Sequence, residues 1–522
     1  MTELNTPTDP AKDTTASRPA SGPAGTPDSS AGADHSAFLS GVDQPMWIGG
    51  EPVEAASGQW REVKNPARRE AVIARVPAGG PEDVDRAVAA ARSAFGGWSS
   101  AHFTVRSRAL NLIADDIEAR AEDFARLTAL DTGNALRTQA RPEVATLVAL
   151  FRYFAGIAGE VKGVTLPAGD GQLQYTRLEP LGVVACILPW NSPLMIAGFK
   201  LPAALAAGNT VILKAADDAP LTILLLAEIC GRHLPAGTVN ALTGRGSVIG
   251  AALAEHPGVD KVSFTGSTEV GRGVARTAGE RLAHVSLELG GKNPSIVFPD
   301  AVDDDLIDGL LLASRFTRQG QSCTAGSRLF LHEDIYDEVL EKLAAKLGAL
   351  TVGDPLDEAT DMGAIINNSQ FSSISGYLDE GRSSMTTILG GSVPEQGPLT
   401  EGYFHLPTIF GGGRNDFRLA QEEIFGPVLV AIPWRDTDEV IRMANESHYG
   451  LAAFVWSHNL DNALNTAHRV EAGWVQVNQG GGQVVGQSYG GYKQSGIGRE
   501  VSLEGMLAGF TQTKQINVKL RG

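Results

Sequence analysis

Cys323 stands in the run Gln319-Gly320-Gln321-Ser322-Cys323-Thr324-Ala325-Gly326, among small, polar and flexible neighbours that let a side chain approach the backbone closely. An accessible thiol that can ionise is a nucleophile. The other two cysteines differ: Cys186 lies in an apolar run over residues 183–188, and Cys230 ends a leucine-rich stretch over 223–229. Both read as small hydrophobes packed in a core. For Cys323 the local sequence leaves two readings open, a nucleophile or an ordinary buried thiol in a helix-to-strand loop.

Further groups have the right types for chemistry around a thiol. Glu288, in Ser286-Leu287-Glu288-Leu289-Gly290-Gly291, is a carboxylate between leucines at a strand end. Partial desolvation would raise its pKa toward that of a general base, and a strand-end Glu paired with a cation is the competing reading. Asn191 lies between Pro189 and Pro193 in a stiffened loop. A fixed amide suits an oxyanion hole, although turn formation is the commoner use of Asn beside Pro. The turn Phe264-Thr265-Gly266-Ser267 joins a strand to a helix, so Ser267 and the free N–H groups of the helix start can receive a phosphate. Neither this turn nor the glycine run at 244–250 has the spacing of the dinucleotide fingerprint, and a tight turn is the plainer reading of each. Lys214 and Asp217 follow a strand over 210–213, beyond whose carboxyl end a ligand would bind in an open α/β sheet. They can grip a cofactor ribose, or stand as a solvated pair in a loop. Glu423 and Phe425 precede a Gly-Pro turn, and alone that segment is only a turn.

The patterning supplies elements to position these groups. From Gly182 onward, strands over 183–188, 210–213, 239–242 and 262–264 alternate with helices, which is the signature of parallel βαβ units in a nucleotide-binding type of sheet. A second α/β block starts near Pro294 and runs to about Gly490. Ahead of these lie short strands at 46–50 and 60–65, a helix begun by Pro81, a longer helix over 104–130 stopped by Asp131-Thr132-Gly133, and another over 144–159. The alternating segment 173–178 predicts a hairpin with 161–166, and 510–520 reads as an exposed strand in need of a partner.

At 522 residues the chain exceeds one core, and about two to four domains are expected. A net charge of −17 argues against binding a phosphate backbone, which needs clustered Lys and Arg. Three cysteines form no disulfide framework, and the odd one is free, so a reducing cytoplasm fits best. No apolar run reaches membrane-spanning length, and residues 1–42, rich in Pro, Ser, Thr and Gly, read as a disordered tail without a targeting signal.

The motifs PWNSP at 189, ILKAAD at 212, FTGSTEVG at 264, LELGGKNP at 287, GQSCTAGSR at 320, EEIFGPV at 422 and GGYKQSGIGRE at 490 occur in one order. In content and order they resemble the NAD(P)-dependent aldehyde dehydrogenase superfamily over nearly all of residues 45–522. The resemblance implies an α/β fold: a Rossmann-type NAD-binding domain over 43–158 and 182–290, a catalytic domain over 291–499, and a small β oligomerisation element over 159–181 and 500–522 that pairs across subunits. It implies that Cys323 attacks the aldehyde carbon, that the Asn191 amide and the Cys323 N–H hold the resulting oxyanion, and that hydride then leaves for the nicotinamide. Glu288 would activate the water that hydrolyses the thioester to a carboxylic acid. Lys214 and Asp217 would hold the adenosine ribose, Gly266 and Ser267 the pyrophosphate, and Glu423 the nicotinamide ribose with Phe425 nearby. No metal is implied.

Some positions depart from the family pattern. Asp217 stands where many members have Glu, and an acid there should repel a 2′-phosphate, so NAD is expected over NADP. Arg318 stands where an Asn is often found, and a cation near the thiol would favour thiolate. Ser192 replaces an aromatic residue. The expected pocket residues, Ser192, Ile196, Phe199, Ser322, Thr324 and Tyr489, suggest a medium-sized aliphatic or cyclic aldehyde or an ω-semialdehyde. A homodimer or homotetramer without nucleic-acid or membrane partners is expected. The alternatives are a CoA-acylating enzyme, against which Glu288 argues, and a non-catalytic relative on the same scaffold.

Overall fold

The computed structural model describes residues 42–521, so all but Val42 of the tail expected over 1–42 lies outside the described residues. Two large sheets carry the fold. The first has eight strands in the order Gly496–Ile497, His284–Glu288, Lys261–Thr265, Val183–Ile187, Thr210–Lys214, Val239–Leu242, Met46–Ile48 and Glu51–Val53. The five strands from His284–Glu288 to Val239–Leu242 run parallel, and antiparallel strands close both edges. Val183–Ile187 and Thr210–Lys214 are buried along their whole lengths, as a parallel strand covered on both faces must be, which explains the apolar run of the first and the apolar centre, Val211 to Leu213, of the second.

The parallel part of this sheet starts at Val183–Ile187, builds outward through Thr210–Lys214 and Val239–Leu242, then returns to lay Lys261–Thr265 on the other side of Val183–Ile187. The direction of winding therefore reverses between Val183–Ile187 and Lys261–Thr265, and a crevice opens beyond their carboxyl ends. Into it lead the segments holding Asn191 and Gly266-Ser267.

The second sheet has seven strands in the order Thr386–Leu389, Thr408–Gly411, Val428–Trp434, Arg328–His332, Pro294–Val297, Ala452–Trp456 and Trp474–Val477, parallel except at the first pair. Cys323 precedes Arg328–His332, and Glu423 and Phe425 precede the neighbouring Val428–Trp434, so both loops arrive at the amino ends of adjacent strands.

One expectation needs correction. The helix expected over 104–130 is two helices, Phe103–Ala119 and Ala121–Thr132. Arg120, at φ −112°, closes the first by donating its N–H to Asp116 and opens the second. No glycine or proline marks the break, so the apolar periodicity runs through it. The exposed strand read at 510–520 is Thr511–Lys519, and it finds its partner in its own chain: it pairs antiparallel with Gln172–Pro180, beside Thr165–Leu166. Its outer edge has no partner strand among the described residues. None of the described helices is long and apolar enough to cross a membrane.

Candidate active site

After Val183–Ile187 the chain turns through Pro189 to Ser192 and begins the helix Pro193–Ala206 with proline at its first position, where a missing N–H costs nothing. Glu143, on the helix Arg141–Ile157, accepts hydrogen bonds from the N–H groups of Leu194 (2.9 Å) and Met195 (3.1 Å), tying down that helix start. Asn134 Nδ2 donates to the Asn191 carbonyl at 3.0 Å, and Asn191 Nδ2 donates to the Gln321 carbonyl at 2.9 Å. The amide is thus already aimed at the cysteine loop.

That loop is built from unusual backbone. Arg315 (φ 58°) and Gln319 (φ 52°) both adopt the left-handed conformation around a single turn, and Gly320 follows at φ 65°. A side chain at Gly320 would collide with the Gly426 carbonyl, so the loop can pack here only as glycine. Asn293 Nδ2 then donates to the carbonyls of Cys323 (2.8 Å) and Ala325 (2.9 Å), while its Oδ1 accepts from the Ala452 N–H at 2.8 Å. Non-glycine residues held at positive φ are concentrated where a fold fixes a functional group.

Cys323 is partly exposed, and its Sγ lies 3.5 Å from the Tyr489 hydroxyl. Burial pushes the thiol up to about 11; the Tyr489 hydrogen bond opposes this, Glu423 and Glu288 add to it, and Arg318 pulls weakly the other way. Arg318 acts in the expected thiolate-favouring direction, but in the resting protein loss of water outweighs this one cation. Cys186 and Cys230 are fully buried.

Glu288 ends the strand His284–Glu288 and is 4% exposed, with Oε2 lacking any hydrogen-bond partner. Burial, then the charge of Glu500, holds its carboxyl well above the usual range against the pull of Lys200 and Arg499. Glu423 Oε1 accepts from the Gly291 N–H at 2.8 Å, and burial raises its carboxyl to about 7. Phe425 sits at φ 56° with its ring edge-on to Trp190, centroids 5.3 Å apart.

A single cavity of about 310 Å³ joins these groups. Cys323, Glu288, Asn191, Gly266, Ser267, Glu423 and Phe425 line it, together with Ile196, Ser322, Thr324 and Tyr489. Ser267 caps the helix Thr268–Glu280, so free N–H groups of the first turn face the same end. Ser192 and Phe199 are not in its wall. Ser192 is buried and accepts from Arg318 Nη1 at 2.9 Å, and Phe199 packs behind Tyr489 with ring centroids 5.5 Å apart. Lys214 and Asp217 lie outside it too, at the carboxyl end of Thr210–Lys214. There they pair with each other, and both Asp217 oxygens accept from the Gly246 N–H at 3.1 Å. Asp217 borders a separate hollow of about 430 Å³.

Sequence reading gives no role to Asn293, Gln321 or Glu143. The first two sit inside the motifs LELGGKNP and GQSCTAGSR, so the signal was position within a motif. Glu143 carries none, since one acid in a helical pattern reads as a solvated group.

The family model described as "Aldehyde dehydrogenase family" matches residues 53–516. A hydroxyisobutyraldehyde dehydrogenase of Mycolicibacterium austroafricanum is 41% identical over 91% of this chain and 94% of its own length. The NAD+ complex of an aldehyde dehydrogenase from Bacillus cereus superposes with a TM-score of 0.89 at 38% identity, covering 93% of this chain and 98% of that one. A betaine aldehyde dehydrogenase from Staphylococcus aureus in complex with NAD+ gives 0.90 at 34% identity, with 93% and 97% covered.

Proposed function

The chain belongs to the aldehyde dehydrogenase family and is an aldehyde dehydrogenase, and from that premise we propose that it oxidises its aldehyde with NAD through a Cys323-bound intermediate that water hydrolyses. One observation carries the reading: the Cys323 thiol, the Glu288 carboxyl and the Asn191 amide line one cavity with the Gly266-Ser267 helix start. Lys214 and Asp217 are suited to the adenosine ribose, Gly266 and Ser267 to the pyrophosphate, and Glu423 with Phe425 to the nicotinamide ribose and ring. Asp217, with Asp218 beside it, favours NAD over a cofactor bearing a 2′-phosphate. The NAD+ complexes of the two similar structures support the same cofactor. Bound NAD supplies the acceptor for the hydride.

The chain's own residues do the rest. The thiol loses its proton and its sulfur bonds to the aldehyde carbon, moving the carbonyl electrons onto oxygen. That oxygen finds the Asn191 amide and the Cys323 N–H, which makes no hydrogen bond to the described residues. Departure of hydride leaves a thioester on Cys323. Glu288, once ionised, takes a proton from water, the hydroxyl adds to the acyl carbon, and the carbon–sulfur bond breaks to release the acid. The pocket supports a medium-sized aliphatic or cyclic aldehyde or an ω-semialdehyde, and the relative named for hydroxyisobutyraldehyde adds hydroxylated aldehydes. The edge of Thr511–Lys519 that has no partner strand among the described residues supports a homodimer or homotetramer.

The test is NADH formation from NAD and a panel of aldehydes without CoA, in wild type and Cys323→Ala. Turnover in the first and none in the second is expected. NADH only after CoA is added, or full activity in Cys323→Ala, overturns the reading.

A further inference from the structure

Arg318 leaves most of its hydrogen-bonding capacity unspent. A guanidinium carries five N–H donors. Arg318 places one on Ser192 Oγ, at 2.9 Å. Its Nε is shut off from solvent with no partner, and Nη2 donates to none of the described residues. Nearby Arg315 is the opposite case: it donates to the carbonyls of Leu312, Gly480 and Gly481 and to Thr324 Oγ1, so its fork is occupied by the protein. Nη2, unlike Nε, is not shut off from solvent, and an unpartnered cationic donor on a residue that lines a cavity points to an acceptor on the ligand.

Arg318 lines the cavity that holds Cys323. Its tie to Ser192 fixes it beside the start of the helix Pro193–Ala206, whose Met195 and Ile196 supply apolar wall next to it. Gln483, Thr324 and Tyr489 add polar atoms to the same lining. The acid whose charge acts on Arg318 most, Glu143, has Oε1 engaged by two backbone N–H groups and Oε2 without a partner, and it forms no ion pair with the arginine. The positive charge and the free donors both remain for whatever enters.

Resting on the aldehyde-oxidation reading above, we propose that Arg318 determines specificity by donating hydrogen bonds to an oxygen acceptor, hydroxyl or carboxylate, on the carbon chain of the aldehyde. Met195 and Ile196 hold the chain itself. A carboxylate takes two parallel donors from the planar fork, and a hydroxyl takes one. Replacing that oxygen by a methyl group leaves the donors unpaired in the complex, which is the strongest form of discrimination a pocket can exert.

The test compares kcat/KM for three aldehydes of equal chain length, ending in a carboxylate, a hydroxyl or a methyl group, in wild type, Arg318→Met and Arg318→Lys. Wild type is expected to favour an oxygenated aldehyde over the methyl one by about tenfold or more, the scale of one lost charged hydrogen bond. Arg318→Met should bring that ratio near one. Arg318→Lys should keep part of it for the carboxylate and little for the hydroxyl, and which aldehyde leads identifies the acceptor. A ratio is independent of the fraction of active enzyme, so a poorly folded variant does not mimic the result. Wild-type preference for the methyl aldehyde, or equal losses for all three in Arg318→Met, overturns the proposal while leaving aldehyde oxidation intact. Absence of NADH from every aldehyde in wild type removes the underlying reading instead.

Discussion

Alkylation of Cys323 in the cofactor-free protein should climb about tenfold with each pH unit through the neutral range and show no plateau there. The thiol is pushed up to about 11, chiefly by burial. At pH 8 such a group is about 0.1% thiolate, against roughly a quarter of a free cysteine with a pKa of ~8.5. That difference alone slows the reaction about two-hundredfold. A more basic thiolate is also a better nucleophile, and with a Brønsted slope of ~0.4–0.5 the higher pKa returns about tenfold. The net expectation is roughly twentyfold slower labelling than a free thiol at pH 8. Tyr489→Phe removes the hydrogen bond that partly offsets burial and should slow it further. Iodoacetamide labelling followed by mass spectrometry of the Cys323 peptide measures this, with buried Cys186 and Cys230 as unreactive controls. A rate that levels off below about pH 8, or that exceeds a free thiol's, would show a thiolate stabilised at rest and refute the reasoning from desolvation.

Lys200 is fully buried and its Nζ lies 2.6 Å from Glu500 and 2.9 Å from Ser263 Oγ, so Lys200→Met strands a buried carboxylate. A loss of about 3–5 kcal/mol is expected in denaturant melts, and an unchanged midpoint would contradict it. Gly320→Ala places a methyl group against the Gly426 carbonyl at a backbone angle that costs about 1–2 kcal/mol in itself. Since the collision couples the Cys323 and Phe425 loops, kcat/KM should fall by at least about tenfold, and wild-type kinetics would show that the loops move independently. Asp217→Ser removes the acid proposed to hold the adenosine ribose, so the NADP-to-NAD ratio of kcat/KM should rise by about tenfold or more, equivalent to ~1.4 kcal/mol. A fixed ratio would place the discrimination elsewhere.

What the sequence displays and what it hides follow from how local each feature is. The strands Val183–Ile187 and Thr210–Lys214 are short apolar runs with Gly, Pro or Asn at their ends, and such punctuation is readable residue by residue. The break at Arg120 has no such mark, and only the folded backbone reveals it. The partner of Thr511–Lys519 lies more than 300 residues upstream, at Gln172–Pro180, a distance over which alternation carries no pairing information. Within the site, residue types could be singled out one at a time, but their links could not. The Asn293 clamp on the Cys323 loop crosses from one motif to another, and the Arg318 bond reaches Ser192 in a motif from a residue outside them all. The pKa of Cys323 was the least legible feature, because it depends on how much water the fold excludes, and no count of nearby cations reports that.

In the proposed mechanism acyl transfer runs through Cys323 and Glu288 governs its release. Glu288→Gln keeps the shape of that side chain and removes its capacity to accept a proton, so mixing it with NAD and an accepted aldehyde tests that mechanism directly. A rapid burst of about one NADH per active site is expected, with a following rate far below wild type and a Cys323 peptide heavier by the acyl group. Steady turnover at the wild-type rate, or a burst with no adduct on Cys323, would contradict it.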